Sequence, residues 1–345
     1  MIVVFVMAAV LWGTGAAMGT PKQARLIMIG LLYIGVLAIH VILPQGHPLR
    51  EGLGSSPALW LLIGALAVLV LVYRQGLMWI RARSNPVAFD PPARKETFAD
   101  VELERAARHI VLREIGGAGQ RRLKESKVLV IGAGGLGSPA LMYLGAAGIG
   151  TLGIIDDDLV ENTNLQRQII HTDDRIGMPK VFSAELALKA QNPFLSVKTY
   201  NRKLDVDIAE TLFAEYDLVL DGTDGFDTRA LSNRAAVATG TPLVWAAISQ
   251  WDGQIGVYDP SVEGPCYACV YPEPPADGLS NTCVEAGVAG PLPGVIGSMM
   301  AVEAIKLLVG TGSTLSGSML IYDGLYADTR KITFARRADC KVCKV

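Results

Sequence analysis

The sequence predicts an α/β fold, a mostly parallel sheet with helices on both faces, preceded by transmembrane helices. Three observations carry this expectation. A short apolar run at 128–131 breaks at Gly132-x-Gly134-x-x-Gly137 and resumes as small and apolar residues with helical spacing, the pattern of a buried strand, a tight turn and a helix. Strand-like and helix-like segments then alternate as far as Tyr322, as parallel β-α-β units require. The hydrophobic content of 50% and the mean hydropathy of +0.34 are high, and the excess comes largely from the first 80 residues.

Residues 1–20 carry no charged side chain, and 2–12 are almost wholly apolar. A second run, 26–43, contains no Lys, Arg, Asp or Glu and one histidine, His40. A third, 58–73, follows Pro57 and is uncharged. Each approaches the length of a bilayer-spanning helix. The third is short at sixteen residues, and backward extension into 53–56 with Arg74 snorkelling would complete it. Lys22 and Arg25 separate the first two runs, Arg50 and Glu51 nearly cancel before the third, and Arg74, Arg81, Arg83, Arg94 and Lys95 follow it. The positive-inside rule then puts the amino terminus outside and everything after Arg74 in the cytoplasm. A multi-pass anchor of about three helices in the inner (cytoplasmic) membrane is expected over 1–80, a linker rich in proline and charge over 81–97, and a cytoplasmic domain over 98–345. A cleaved signal peptide or a soluble helical bundle are the competing readings. The first lacks a basic leading region, and the second lacks polar faces. A net charge of −2 gives no general pull toward nucleic acid, and no such partner is expected.

Beyond the linker an amphipathic helix is expected over 98–113. Strands follow at 151–155, 196–200, 217–220, 243–245, 254–258 and 319–322, with helices at 179–191, 207–215, 228–239 and 295–309. The glycine turn gathers backbone N–H groups and the positive end of a helix dipole around one point, which suits a phosphate. Asp156 ends the next strand, 19 residues past Gly137, where it can accept hydrogen bonds from ribose hydroxyls. This Rossmann-like fingerprint indicates a nucleotide without fixing the chemistry, and nicotinamide or flavin enzymes are its commonest owners. The chain then supplies Asn164, Arg167, Gln168 and, at a helix start, Lys180. Arg and Lys converging on a nucleotide neutralise a triphosphate, a task that a dinucleotide site does not pose. A solvated polar loop is the plainer alternative. A later strand runs into Asp221-Gly222-Thr223-Asp224 at the carboxyl edge of the sheet, where ligands bind. A carboxylate such as Asp224 is a natural Mg²⁺ ligand there; turn formation or helix capping is the alternative for Asp221, Asp224 and Asp227.

The five cysteines divide into Cys266-x-x-Cys269, Cys340-x-x-Cys343 and a single Cys283. Two such knuckles match a tetrahedral, structural Zn²⁺ site. Disulfides are the competing reading, and a cytoplasmic placement argues against them. Cys283 lies in a stretch rich in Gly, Pro and polar residues, and is either a transient thiol or a small packed side chain.

Together the stretches RHIVLREIGGAGQ, GAGGLGSPA, NTNLQRQ, GMPK, DGTD, TCVEAGV, PLPGVIGS and the two C-x-x-C pairs resemble the family of enzymes that activate ubiquitin-like proteins. The match is to its bacterial branch (HesA, MoeB and ThiF), and best to the molybdopterin-synthase adenylyltransferase type. The resemblance covers 98–345 and implies ATP-dependent adenylation of the C-terminal glycine of a small ubiquitin-like sulfur carrier ending in Gly-Gly. By position it implies that Gly132, Gly134, Gly135, Gly137 and Asp156 hold ATP, with Asn164 and Arg167 orienting its phosphates. Lys180 would stabilise them, Thr223 would touch the nucleotide, and Asp224 would bind Mg²⁺. Arg108 would reach the ATP of the other subunit of a homodimer. One departure is Gly225, where the family often has Asn on the adenine side. The thiazole-pathway carrier is the alternative substrate; a nicotinamide-dependent oxidoreductase or a non-catalytic membrane scaffold are the alternatives in kind.

Overall fold

The computed structural model describes residues 2–54, 56–83, 98–274 and 287–344. Cys283 and residues 84–97 of the expected linker lie outside the described residues. The chain divides into two compact units, Met1–Arg94 and Lys95–Val345.

The first unit is helical: α1 (Ile2–Ala17), α2 (Lys22–Ile42), α3 (Pro48–Leu53) and α4 (Pro57–Arg83). Pro48 and Pro57 each stand first in a helix, where the missing N–H has no intrahelical partner to lose. Buried Val4, Val36 and Trp60 form its centre. Polar groups there are answered internally: Trp60 Nε1 donates to the Leu53 carbonyl at 3.0 Å, and the Tyr33 hydroxyl donates to that of Trp60 at 2.7 Å. The outward faces are apolar, with Leu26, Leu31, Ile34, Leu62, Leu66 and Leu69 all exposed.

One expectation needs correction here. The third apolar run does not extend backward, because Gly54 at φ 113° breaks the chain between α3 and α4. It extends forward instead, giving a 27-residue helix. The first run forms a helix of 16 residues, about 24 Å at 1.5 Å per residue, short of the ~30 Å hydrocarbon layer. Lys22–Ile42 and Pro57–Leu77 are long and apolar enough to cross a membrane by length and composition.

The second unit is an eight-stranded sheet in the order β3-β2-β1-β4-β5-β6-β7-β8. Its strands are β1 (Lys127–Ile131), β2 (Thr151–Ile155), β3 (Ser196–Tyr200), β4 (Leu218–Asp221), β5 (Leu243–Ile248), β6 (Asp252–Tyr258), β7 (Ser318–Asp323) and β8 (Asp328–Thr333). Pairings from β3 to β5 are parallel, and those from β5 to β8 are antiparallel. The reversal follows from chain length. Only residues 249–251 join β5 to β6, too few for the crossover that a parallel neighbour needs. Strand β1 is apolar without alternation because both of its faces are buried: Val128 and Val130 join one core cluster, Leu129 and Ile131 the other. The first cluster is covered by α7 (Gly137–Ala147), α8 (Lys180–Gln191) and α12 (Pro291–Val309). The second is covered by α9 (Ala209–Phe213) and α10 (Phe226–Thr239). Helix α12 has the length and hydropathy of a membrane span, yet Leu292, Ile296, Met300 and Ala304 are buried in that core. Ahead of the sheet lie α5 (Asp100–Ile110) and α6 (Gly116–Glu125), and α11 (Tyr267–Val270) follows β6.

Candidate nucleotide cleft and thiolate cluster

Strand β1 pairs with β2 on one side and β4 on the other, so successive crossovers leave in opposite directions at its carboxyl end. Ligands of open parallel sheets bind at such a switch point. A cleft of about 710 Å³ opens there, within the size range of small-molecule sites. Gly132, Gly134, Gly135, Asp156, Asn164, Arg167, Lys180, Thr223 and Asp224 line it, so most of the predicted set is brought together.

The turn after β1 is made by close backbone contacts. Gly132 has φ +88°, a conformation that only glycine adopts without strain. Gly137 is not among the residues that line the cleft, and a Cβ there would stand 1.9 Å from the Gly132 carbonyl oxygen, so the close packing of α7 on the turn requires glycine. The Asp156 carboxylate ties the turn to β2: Oδ2 accepts the Ala133 N–H and Oδ1 the Asp158 N–H, each at 2.8 Å. Burial pushes this carboxyl up, opposed by the Lys180 charge and by those two N–H groups. A carboxylate has about four lone-pair directions, so capacity remains for a ribose hydroxyl.

Lys180 is buried in the wall with its Nζ 2.7 Å from exposed Asp158. The Arg167 side chain lies along Gly135 and donates through Nη1 to the Thr163 carbonyl at 3.1 Å. Asn164 is buried, and its Oδ1 accepts the Glu161 N–H at 3.2 Å. Asp224 is exposed to the cleft, and its carboxylate has no hydrogen bond or ion pair among the described residues. Asp227 sits in the first turn of α10, where a negative charge offsets the helix dipole. Arg108 is exposed on α5 and lines no part of this cleft.

Three contributors lacked a sequence motif. Arg202 and Lys203, just after β3, line the cleft. His171, buried beneath the turn, holds it from below: Nε2 donates to the Ala133 carbonyl at 2.9 Å, and Nδ1 faces the Ser183 hydroxyl at 2.9 Å. A carbonyl cannot donate, so the proton of the neutral ring sits on Nε2 and Nδ1 accepts.

At the other side of α10, the Sγ atoms of Cys266, Cys269, Cys340 and Cys343 lie within 4.8 Å of one another, and all four residues are buried. Cys266 and Cys340 are 3.8 Å apart and Cys269 and Cys343 3.5 Å, sulfur to sulfur. Four thiolates around an ion at ~2.3 Å would be ~3.8 Å apart, so the set fits a tetrahedral metal. Burial pushes the Cys266 and Cys269 thiols up. Cys340 is held down at about 7: burial opposes this, and the N–H groups of Cys343 and Val342 outweigh it. Asn233 Nδ2 and the Arg337 N–H point at Cys266 and Cys269 sulfur at 3.6 and 3.5 Å, the outer contacts expected around thiolates.

A model of the ThiF family matches residues 106–342. The sulfur carrier protein adenylyltransferase of Thermus thermophilus is 47% identical over 246 residues, covering 70% of this chain and 91% of that protein. The probable adenylyltransferase/sulfurtransferase MoeZ of Mycobacterium tuberculosis is 46% identical over 68% of this chain, which spans only 61% of that longer protein. Among solved structures, that of E. coli MccB with MccA-N7isoASN superposes with a TM-score of 0.62 at 22% identity, covering 73% of this chain and 77% of that one. This last likeness is one of fold.

Because His171 is buried neutral, acid should weaken the α/β unit. Burial holds its pKa below the usual 6.5, the Ala133 hydrogen bond opposes this, and Lys180 and Arg175 add repulsion. The unfolded chain takes up this proton near 6.5 and the folded chain does not, so the stability is present above that pH and lost below it. Unfolding free energies from urea titrations in detergent should therefore fall more steeply for wild type than for His171→Gln as pH drops from about 7.5 to 5.5, by up to ~1.4 kcal/mol per pH unit. Parallel curves would remove His171 from this role.

Proposed function

The chain belongs to the ThiF family, and from that premise we propose that it adenylates the C-terminal glycine of a small ubiquitin-like sulfur carrier ending in Gly-Gly. The observation that carries this reading is the convergence of Arg167, Lys180 and Asp224 on the glycine turn within one cleft. The carrier's carboxylate attacks the α-phosphorus of ATP, a carboxyl O–P bond forms, the bond to the β-phosphate oxygen breaks, and pyrophosphate leaves. A C-terminal carboxylate is ionised at pH 7, so no general base is needed. The work is charge stabilisation and positioning. The glycine turn and Asp156 hold the α-phosphate side and the ribose, Asn164 and Arg167 orient the phosphates, and Lys180 stabilises them. Asp224 would hold Mg²⁺, which its free carboxylate fits; when bound, the ion offsets phosphate charge. A sulfide-level sulfur nucleophile from a separate donor would then attack the acyl carbon, a C–S bond forming as the acyl C–O bond breaks and AMP leaves, to give the thiocarboxylate. The molybdopterin-synthase type of carrier is favoured over the thiazole type by the motifs, and a nicotinamide enzyme would have no use for the Arg167 and Lys180 pair.

The four cysteines would hold a structural Zn²⁺. Residues 1–80 would form the anchor in the inner membrane, with residues 98–345 as the cytoplasmic catalytic domain, supported by the apolar outward faces of α2 and α4. The enzyme would act as a homodimer in which exposed Arg108 serves the partner's site.

Lys180→Ala and Arg167→Ala should each slow carrier-dependent exchange of pyrophosphate into ATP by ~10²–10³ while leaving the melting temperature in place. Wild-type exchange in either variant would end that residue's assignment. Metal analysis of the purified chain should find one zinc, lost with Cys269→Ser or Cys340→Ser; a chain with all its thiols free and no zinc refutes the metal. Verified heterodimers of Arg108→Ala and Asp224→Ala subunits should recover about half the wild-type activity, through one intact site of two. No recovery removes Arg108 from the partner's site. A periplasm-active reporter fused at Gly46 should be active and one fused after Asn85 silent. The reverse pattern, or a full-length chain soluble without detergent, would overturn the topology or the anchor.

A further inference from the structure

A run of buried contacts joins the thiolate cluster to the cleft through residues that the adenylation reading leaves without a role. Asp221, wholly buried at the end of β4, accepts through Oδ1 from the Thr223 N–H at 3.0 Å and from the Thr223 hydroxyl at 2.6 Å. Its Oδ2 is buried and without a partner among the described residues. Arg229, in the first turn of α10 and 9% exposed, donates from Nη1 to the Thr223 carbonyl at 2.8 Å and from Nε to the Tyr267 hydroxyl at 3.4 Å. Four residues on, Asn233 accepts the Tyr267 N–H at 3.0 Å and donates to Cys266 sulfur at 3.6 Å. Thr223 is thus gripped by its amide, its hydroxyl and its carbonyl, and the next residue is Asp224.

Burying an arginine is costly, and its planar donors are usually spent on a carboxylate or phosphate. Here the short bond goes to one backbone carbonyl in the loop that carries a free carboxylate into the cleft. A partly unsatisfied buried carboxylate holding the same residue is a second cost at the same place. Both become intelligible if the placement of that loop matters more than the local stability lost. We propose that Arg229 and Asp221 are positioning residues of the adenylation site, which clamp Thr223 so that the Asp224 carboxylate stands where the phosphates and Mg²⁺ require it. The inference rests on the nucleotide reading above. It differs from a stabilising role in one respect: it acts on the metal dependence of nucleotide binding.

The test uses the full chain in detergent with Arg229→Ala, Arg229→Lys, Asp221→Ala and Thr223→Val. Equilibrium binding of a fluorescent ATP analogue is measured across a Mg²⁺ titration, alongside pyrophosphate exchange, zinc content and Tm. Arg229→Ala and Asp221→Ala should raise the Mg²⁺ concentration for half-maximal binding by ~10-fold or more, the usual cost of losing an outer-shell partner, with one zinc retained. Arg229→Lys should recover part of the loss, because an ammonium still donates to the Thr223 carbonyl. Thr223→Val removes only the hydroxyl and should move the same midpoint by a smaller factor. A folded Arg229→Ala chain with wild-type Mg²⁺ dependence overturns the proposal. Should that variant not fold, an unchanged midpoint in Thr223→Val overturns it instead. A wild-type chain that binds the analogue at no Mg²⁺ concentration and exchanges no pyrophosphate has a different signature: it overturns the adenylation reading, and this one with it.

Discussion

The α/β unit depends on how closely backbone can approach backbone at the carboxyl end of β1. A Cβ on Gly137 would meet the Gly132 carbonyl oxygen at 1.9 Å, and one on Gly297 would meet that of Leu136 at 2.3 Å. Bare backbone at these two places lets α7 begin at the strand end and lets α12 lie against it. Side chains in their stead would push both helices outward, and the cleft between the ends of β1 and β4 would lose its shape. His171 and Asp156 complete the arrangement from beneath and beside, each through a hydrogen bond to Ala133. Arg167, on the stretch after β2, and Lys180, at the start of α8, then line the same cleft.

Much of this was legible in the sequence, and the reason is physical. A strand buried on both faces must be an unbroken apolar run, and a turn with no room for Cβ must be glycine, so β1, β2 and the turn announce themselves. Lys180 and Asp224 were legible because they directly follow turn signals. The residues that escaped are those whose meaning is set only by tertiary contact. His171 and Arg229 belong to no spacing pattern; His171 matters because the Ala133 carbonyl, 38 residues away, arrives beside it, and Arg229 because the loop after β4 folds back to bring the Thr223 carbonyl to it. Helix α6 contains three glycines within GGAGQRRLKE, a poor helix by propensity, and Gly119 lies against Val309 where a Cβ would stand 2.9 Å from Cγ1. Strand β8 is charged and largely exposed, at the edge of the sheet. Its pairing with β7 is what defines it.

Hydropathy alone treated unlike helices alike. Helix α12 is as suited by composition to a bilayer as α2 or α4, yet half of its apolar window is buried inside the unit, against 11% and 6% for the other two. The apolar surface of α12 is answered by protein. That of α2 and α4 is left unanswered by the described residues of their own unit. The α3 break follows the same economy of partners: the carbonyls freed at Leu53 and Gly54 are taken up by Trp60 and His40.

The two cysteine pairs stand 74 residues apart, and α12, β7 and β8 all lie in the chain between them. With a metal ion across the four sulfurs, that whole stretch becomes a closed ring. The entropy removed by closing a ring grows with the logarithm of its length, so one ion would restrain these three elements at least as well as it would a short hairpin. A disulfide could close the same ring, but it would yield to thiol reductants. A thiolate–metal closure is indifferent to reductants and yields to chelators and to acid, because its ligands must stay deprotonated. With such an ion bound, β7 and β8 would be fastened by a latch whose key is metal supply rather than redox state.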